Sequence, residues 1–305
     1  MDGVGPPTTL RPVRWLAVLL ASIVAAAVTA VALAQAPGGE PDAPPAEPAP
    51  DIVDVVGEVE LPALDERVPT GAKTLAAALA DTAERLDRAA DAWRREGDLG
   101  AKRPPEAVTR LATYESRIVA ALAARPGLSR AVIPRLPGAV ARRVAPEVRA
   151  LRDLRRLHGI SQRRPGPPPR IRLGRPQPLA TLLGHYRAAQ RRFGVRWNVL
   201  AAVNHVESKF GRLRNESISG ARGPMQFMPA TWRQYGLGGD VRDPRDAIMG
   251  AANYLHASGA PGNDARALHA YNPSDLYVRT VLLYADRIAA DPTALPSLYA
   301  REVVR

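Results

Sequence analysis

The chain has 305 residues, enough for two domains or for one domain with extensions. It contains no cysteine, which excludes a disulfide framework, a thiol nucleophile and an acyl anchor on a lipobox cysteine. Its formal charge of +12 is almost all arginine and suits an anionic lipid or an acidic wall polymer; nucleic acid ranks last, because no zinc spacing, aromatic-basic stacking or basic helix-turn-helix pattern accompanies it.

In chain order, Trp15 to Leu33 runs without a charge, behind Arg11 and Arg14. A run of about 20 apolar residues can span a bilayer, and cations before it keep the N-terminus inside. Ala32-Leu33-Ala34 is also an A-x-A cleavage site, so residues 1–35 are an anchor or a signal peptide. The apolar run exceeds the roughly 7–15 residues of a signal core, which favours an uncleaved anchor with the body of the chain outside the membrane. If the segment is cleaved, the protein is secreted to the wall. Residues 36–69 are rich in Pro and Ala and read as an extended spacer.

Residues 70–160 read as a helical, bundle-like region. Leu75, Leu79, Ala83, Leu86, Ala90 and Trp93 form one apolar stripe from Thr74 to Glu96. Pro104-Pro105-Glu106 opens a second helix that ends before Pro126-Gly127, and a third covers Ala139 to His158, with Pro146 as a kink or break. No catalytic pattern occurs here, and a scaffold or spacer is the expectation. Residues 161–178 form a Pro- and Arg-rich linker, where the domain boundary is placed. Residues 179–290 read as an all-α domain, and the tail, 291–305, as peripheral.

Within that domain, Val199, Leu200, Val203, Val206 and Phe210 follow helical spacing, and Gly211 supplies a stop. Glu207 lies four residues after Val203 and seven after Leu200, so it projects along the apolar stripe. A carboxyl desolvated there is pushed towards its neutral form, as a general acid requires. The competing reading is a stripe-edge Glu paired with Arg212 or Arg214. Downstream comes Gly220-Ala221-Arg222-Gly223-Pro224-Met225-Gln226-Phe227-Met228-Pro229. Its glycines let backbone approach a ligand, Gln226 brings donors and acceptors, and Met225, Phe227 and Met228 offer apolar faces to a sugar ring.

Glu207-Ser208, the loop of residues 220–226 and Ala270-Tyr271-Asn272 resemble the three signature motifs of lytic transglycosylases, lysozyme-like enzymes that cut peptidoglycan glycan strands. The Gly-Pro-Met-Gln-Phe form, with Trp232 and Tyr235-Gly236, is most similar to the secreted actinobacterial branch. The resemblance implies an all-α lysozyme-like domain over 179–290, preceded by the membrane or signal helix and the small helical region. It implies Glu207 as sole acid and base, with Ser217, Gln226, Met228, Tyr271 and Asn272 lining the cleft. The substrate implied is the glycan strand, closed to a 1,6-anhydro product by its own 6-hydroxyl. Tyr271 could equally be a packing residue and Asn272 a cap.

Two positions depart from the family. The stretch Gly236-Leu237-Gly238-Gly239-Asp240-Val241-Arg242-Asp243 is too short and oxygen-poor for a calcium loop, so no metal or other cofactor is expected. Pro273-Ser274 stands where relatives often carry Gly. His205 and His269 lack a metal-ligand pairing and read as polar fillers. Two alternatives remain open: hydrolysis by water, as in a muramidase, which needs a second carboxylate, and a non-catalytic wall-binding scaffold. Protein partners are not legible.

Overall fold

A computed structural model describes residues 61–161 and 171–303. The expected anchor or signal peptide and positions 36–60 of the spacer lie outside the described residues, as do positions 162–170 of the linker. The eleven α-helices described are α1 (Ala72–Glu96), α2 (Glu106–Ala124), α3 (Pro126–Val132), α4 (Gly138–Ser161), α5 (Leu179–Phe193), α6 (Trp197–Ser208), α7 (Pro229–Tyr235), α8 (Pro244–Ala257), α9 (Asp264–Tyr271), α10 (Asp275–Ala290) and α11 (Ala294–Ala300). Only two isolated bridges interrupt this all-helical set among the described residues. No described helix is long and apolar enough to cross a membrane.

The stripe on α1 buries Leu75, Leu79, Leu86 and Trp93. Its first half packs with Ile118 and Leu122 of α2 and Val144 and Val148 of α4 in a small core. Its second half joins a larger core that continues through α5, α6 and α8–α11, with the half-buried Trp232 of α7 packed against it. Trp93 meets Tyr299 of α11 at 6.2 Å, and Ala180 N at the start of α5 donates to Leu99 O at 2.9 Å. Helix α4 runs through Pro146 without a break. Residues 172–174 lie antiparallel to 212–214, with Arg214 N donating to Arg172 O and Gly174 N to Arg212 O, both at 2.9 Å.

The peripheral tail expected from Asp291 onwards is corrected by α11, in which every residue is buried. Leu295, Leu298 and Tyr299 complete the core, and Arg301 beyond the helix enters a buried ion network. Glu147 of α4 pairs with Arg301 and with Arg287 of α10, the latter at 2.6 Å. Arg301 also reaches Glu115 of α2 at 3.1 Å, and Glu115 pairs with Arg143 at 2.6 Å. Four segments, α2, α4, α10 and the stretch after α11, are thereby tied together. Arg301 stands beside Glu302 near another arginine, Arg305, and gives no sign in sequence that it faces inward.

Burial alone would raise the Glu147 carboxyl, but Arg301 and Arg287 outweigh it and hold the pKa at about 2, below the usual 4.5. A depressed carboxylate contributes stability above its unfolded pKa and loses it as pH falls through its folded one. Thermal melts are expected to lose Tm between pH 4.5 and about 2 in part through this group. Glu147→Gln is expected to flatten that part of the profile. At neutral pH it should also cost about 3–5 kcal/mol, because two arginines are left buried against a neutral amide.

Candidate active site

Helix α6 is buried from Asn198 to Ser208, so Glu207 is held inside the core at 4% exposure. Helix α6 ends at Ser208 rather than at Gly211. Lys209 and Phe210 turn left-handed, with φ of 54° and 62°, ahead of Gly211 at 82°. Burial of Phe210 against His205 and Tyr299, at 5.2 and 5.8 Å, offsets the strain of that turn. The N–H groups of Lys209 and Phe210 return to the carbonyls of His205 and Asn204, both at 3.1 Å.

Neither arginine weighed as a partner for Glu207 takes that role. Arg212 donates to Tyr299 O at 2.6 Å and Arg214 to Arg175 O at 2.7 Å. Instead the hydroxyl of Tyr277, on α10, donates to Glu207 Oε1 at 2.7 Å. Burial and the Glu207 charge push the Tyr277 hydroxyl well above its usual range, so it remains a donor. Sequence patterning does not single out Tyr277, which reads as one more apolar position of a helix. The Ser274 cap marks where that helix starts, but carries no sign of what its tyrosine meets.

The Gly-Pro-Met-Gln loop is a tight turn closed by Arg222 and Phe227, whose backbone groups exchange hydrogen bonds at 2.9 and 2.8 Å. It is fastened to α6 at one carbonyl. Pro224 O accepts from Ser208 Oγ at 2.5 Å and from Asn204 Nδ2 at 2.8 Å. Tyr186 OH in turn donates to Asn204 Oδ1 at 2.7 Å, fixing the amide's orientation. The Ser of Glu207-Ser208 therefore positions the loop. Gln226 is left-handed at φ 49°, and its Nε2 donates to Gly223 O at 3.0 Å and Asn215 O at 3.3 Å.

Ser217 Oγ accepts from Ala221 N at 2.9 Å, closing the turn that precedes this loop. Met228 caps α7 in an extended conformation and is partly exposed. The expected sugar faces of Met225 and Phe227 are corrected: at 0% and 2% exposure both side chains belong to the core. A helix-loop-helix segment that must hold a strained turn uses its large apolar residues for packing, which leaves Met228 as the accessible one of the three.

Tyr271 ends α9 with its hydroxyl bonded to Met225 O at 2.6 Å, not in water. Its ring lies parallel to Tyr277 at 6.5 Å and edge-on to Phe227 at 5.8 Å. Burial and the Glu207 charge also push its hydroxyl well above the usual range. Asn272 is buried at the α9 C-terminus, where its N–H donates to Leu268 O. The Pro273-Ser274 departure forms the junction to α10: Ser274 is the N-cap of the helix that carries Tyr277. Glu207, Gln226's loop and Tyr271 thus meet around Tyr277 and the loop backbone, while Ser217 and Met228 flank the loop.

The remaining carboxylates of this part of the chain, apart from the exposed Asp286, have other contacts. Glu216 pairs with Arg222 and Arg242, and Asp264 with Arg196. Asp243 caps α8, Asp240 accepts from Arg242 N, and Asp246 accepts from Asp240 N. Asp275 is an exposed first-turn residue 4.0 Å from His269. His205 is buried between Phe210 and Tyr284, and desolvation holds it well below its usual pKa.

Gly223 has φ 74°, and a Cβ there would sit 1.8 Å from Val241 O. Gly223→Ala is expected to dislodge the turn, lowering Tm by several degrees and removing any activity that depends on the loop. Gly220→Ala, with open space at φ 85°, should cost only the backbone strain of about 1 kcal/mol. Paired thermal melts of the two variants check the contrast.

Residues 185–290 match the family described as the Transglycosylase SLT domain. The chain is similar to a membrane-bound lytic murein transglycosylase F of Thiobacillus denitrificans, 31% identical over 128 residues. That alignment covers 39% of this chain and 27% of the relative, so the chain spans about a quarter of that protein's length. No solved structure matches the chain. With Glu207, the Pro224-anchored turn and the Tyr271 end of α9 all inside the matched span, the C-terminal part of this chain carries an SLT-type transglycosylase domain.

Proposed function

We propose that the domain is a peptidoglycan lytic transglycosylase of lysozyme-like architecture, cleaving the bond between N-acetylmuramic acid and N-acetylglucosamine. The observation that carries this reading is a buried Glu207 held by the Tyr277 hydroxyl beside the Gly-Pro-Met-Gln turn. Glu207 gives its proton to the glycosidic oxygen as the C1–O bond breaks. The resulting carboxylate takes the proton of the muramic 6-hydroxyl, whose oxygen closes onto C1. The product is 1,6-anhydro-muramic acid, water is not consumed, and the acid is regenerated. Ser217, Gln226, Met228, Tyr271 and Asn272 are assigned to shaping the cleft: Tyr271 holds Met225 O, and Gln226 holds the turn from inside. No cofactor enters this scheme.

A single acid suffices because the nucleophile belongs to the substrate. The contacts of Glu216, Asp240, Asp243, Asp246 and Asp264 with cations and backbone N–H groups support that reading. The apolar run of residues 15–33 supports placing the domain outside the membrane, tethered or secreted.

Mass spectrometry of peptidoglycan digested by the full chain tests the reaction. Anhydro-muropeptides are expected from the wild type and none from Glu207→Gln. Reducing-end products would identify a hydrolase instead, and intact strands with both proteins a binding scaffold. Tyr277→Phe should retain the fold but lower kcat about ten- to a hundredfold, the worth of a hydrogen bond to a charged group. Equal kcat in the two proteins would remove Tyr277 from the positioning of Glu207.

A further inference from the structure

A cleft of about 1180 Å³ opens between α4 and α10. It lies across α10 from the catalytic candidate. Tyr277, Val281, Tyr284 and Ile288 form the buried stripe of that helix, and Arg279, Leu282, Leu283, Asp286 and Ala290 the opposite one, which lines the cleft. The reaction proposed above uses none of these cleft residues.

The lining combines an apolar floor with a rim of five arginines and four aspartates, Asp87, Asp153, Asp286 and Asp291. Val140, Pro146, Ala150, Leu282 and Leu283 supply the floor. Three of the arginines are held by acids: Arg143 by Glu115, Arg279 by Asp153 and Arg287 by Glu147. Arg142 and Arg149 are different. They stand seven residues apart on one face of α4, both exposed, and neither makes an ion pair among the described residues. A second observation points the same way. Arg287, with 9% of its side chain exposed, uses only Nη1; its Nε and Nη2, and the hydroxyl of buried Thr280, have no hydrogen-bond partner among the described residues. The cleft thus carries two exposed arginines without an ion pair against one exposed aspartate, Asp286, that makes none either among the described residues, with further unpartnered donors buried behind an apolar base.

An occupant must lay small apolar groups on the floor and bring carboxylates to the arginines. A neutral sugar chain has no use for the cations, and a polyphosphate has none for the floor. An extended acidic peptide with methyl side chains satisfies both. Peptidoglycan carries such peptides on its muramic lactyl groups. We propose that the α4–α10 cleft binds the carboxylate-bearing peptide stems of peptidoglycan. It is a second, non-catalytic hold on the wall, on the side of α10 opposite Glu207. The proposal rests on the reading of peptidoglycan as substrate, and it explains how the helices outside the matched span contribute to function.

The test uses the full chain carrying Glu207→Gln, sedimented with intact peptidoglycan and with the same material stripped of peptides by an amidase. Binding to the intact polymer is expected to be about tenfold tighter, the worth of one or two charge-assisted contacts. Arg142→Glu/Arg149→Glu should abolish that preference, and the milder Arg142→Gln/Arg149→Gln should reduce it, each with the parent's far-ultraviolet circular dichroism. With Glu207 intact, neither pair should alter product formation from short peptide-free glycan chains. Equal binding to both polymers, or unchanged binding by both double variants, overturns the proposal. So does an equal loss in Arg130→Glu/Arg135→Glu, which reverses the same charge at exposed positions outside the cleft. Peptide-dependent binding without any anhydro product would leave the cleft standing and the reaction refuted.

Discussion

A carboxyl group buried at the end of a helix that is itself buried is the constraint on which this structure depends. Glu207 sits where α6 ends, so the partial negative charge of the helix C-terminus adds to the cost of desolvating it. The Tyr277 hydroxyl meets that cost only if α10 lies at one depth and one rotation against α6. Tyr284 packs edge-on to His205 at 4.7 Å two stripe positions further along, which fixes the rotation. Arg287, beyond it, is tied to Glu147 of α4, which fixes the depth. The catalytic candidate is therefore coupled to the N-terminal helices through α10. The match to the transglycosylase domain begins at residue 185, but the core that holds it in place draws on Leu86, Trp93, Leu111 and Leu154.

The same helix end organises the loop. Ser208 and Asn204 each donate to Pro224 O, so the turn after α6 and the Gly-Pro-Met-Gln turn are one assembly with a shared acceptor. Tyr271 closes the assembly from α9 by donating to Met225 O, one residue on. Two adjacent carbonyls of a loop are thus held from two helices. A loop so fixed can present its backbone at a constant distance from Glu207, which is what proximity and orientation effects require of a substrate-positioning element.

Much of this was legible in the sequence, and for identifiable reasons. The stripes of α1, α2, α5 and α10 appear as period-3.6 apolar patterns, and Ser274, Asp243 and Asn263 are caps whose side chains bond the first turn. Glu207 stood out because a carboxylate on an apolar stripe breaks its local pattern. Tyr277 did not, because a tyrosine on an apolar stripe obeys the pattern, and its hydroxyl partner lies 70 residues away. Arg301 and Glu147 were hidden for a similar reason. Each reads as a solvated charge until a partner 154 residues distant is brought to it. Met225 and Phe227 misled in the other direction: an apolar residue in a glycine loop looks available to a ligand, and only tertiary packing shows that the core needs it.

The strain in the site follows from this arrangement. Lys209, Phe210 and Gln226 all have left-handed backbones, and all three lie in the two turns that share Pro224 O or flank it. Left-handed non-glycine residues cost of order 1 kcal/mol or more each and persist only where their surroundings over-determine them. Here the surroundings do. Phe210 is buried between two rings, Gln226 is bonded through Nε2 to two carbonyls, and Lys209 N donates to His205 O. A turn of three consecutive left-handed residues directly after Glu207 and Ser208 moves the chain sharply out of the helix axis. The Pro224 turn packs against this helix end, with Pro224 Cβ 3.5 Å from where a Cβ on Gly211 would stand, so the loop and the helix end hold each other in place.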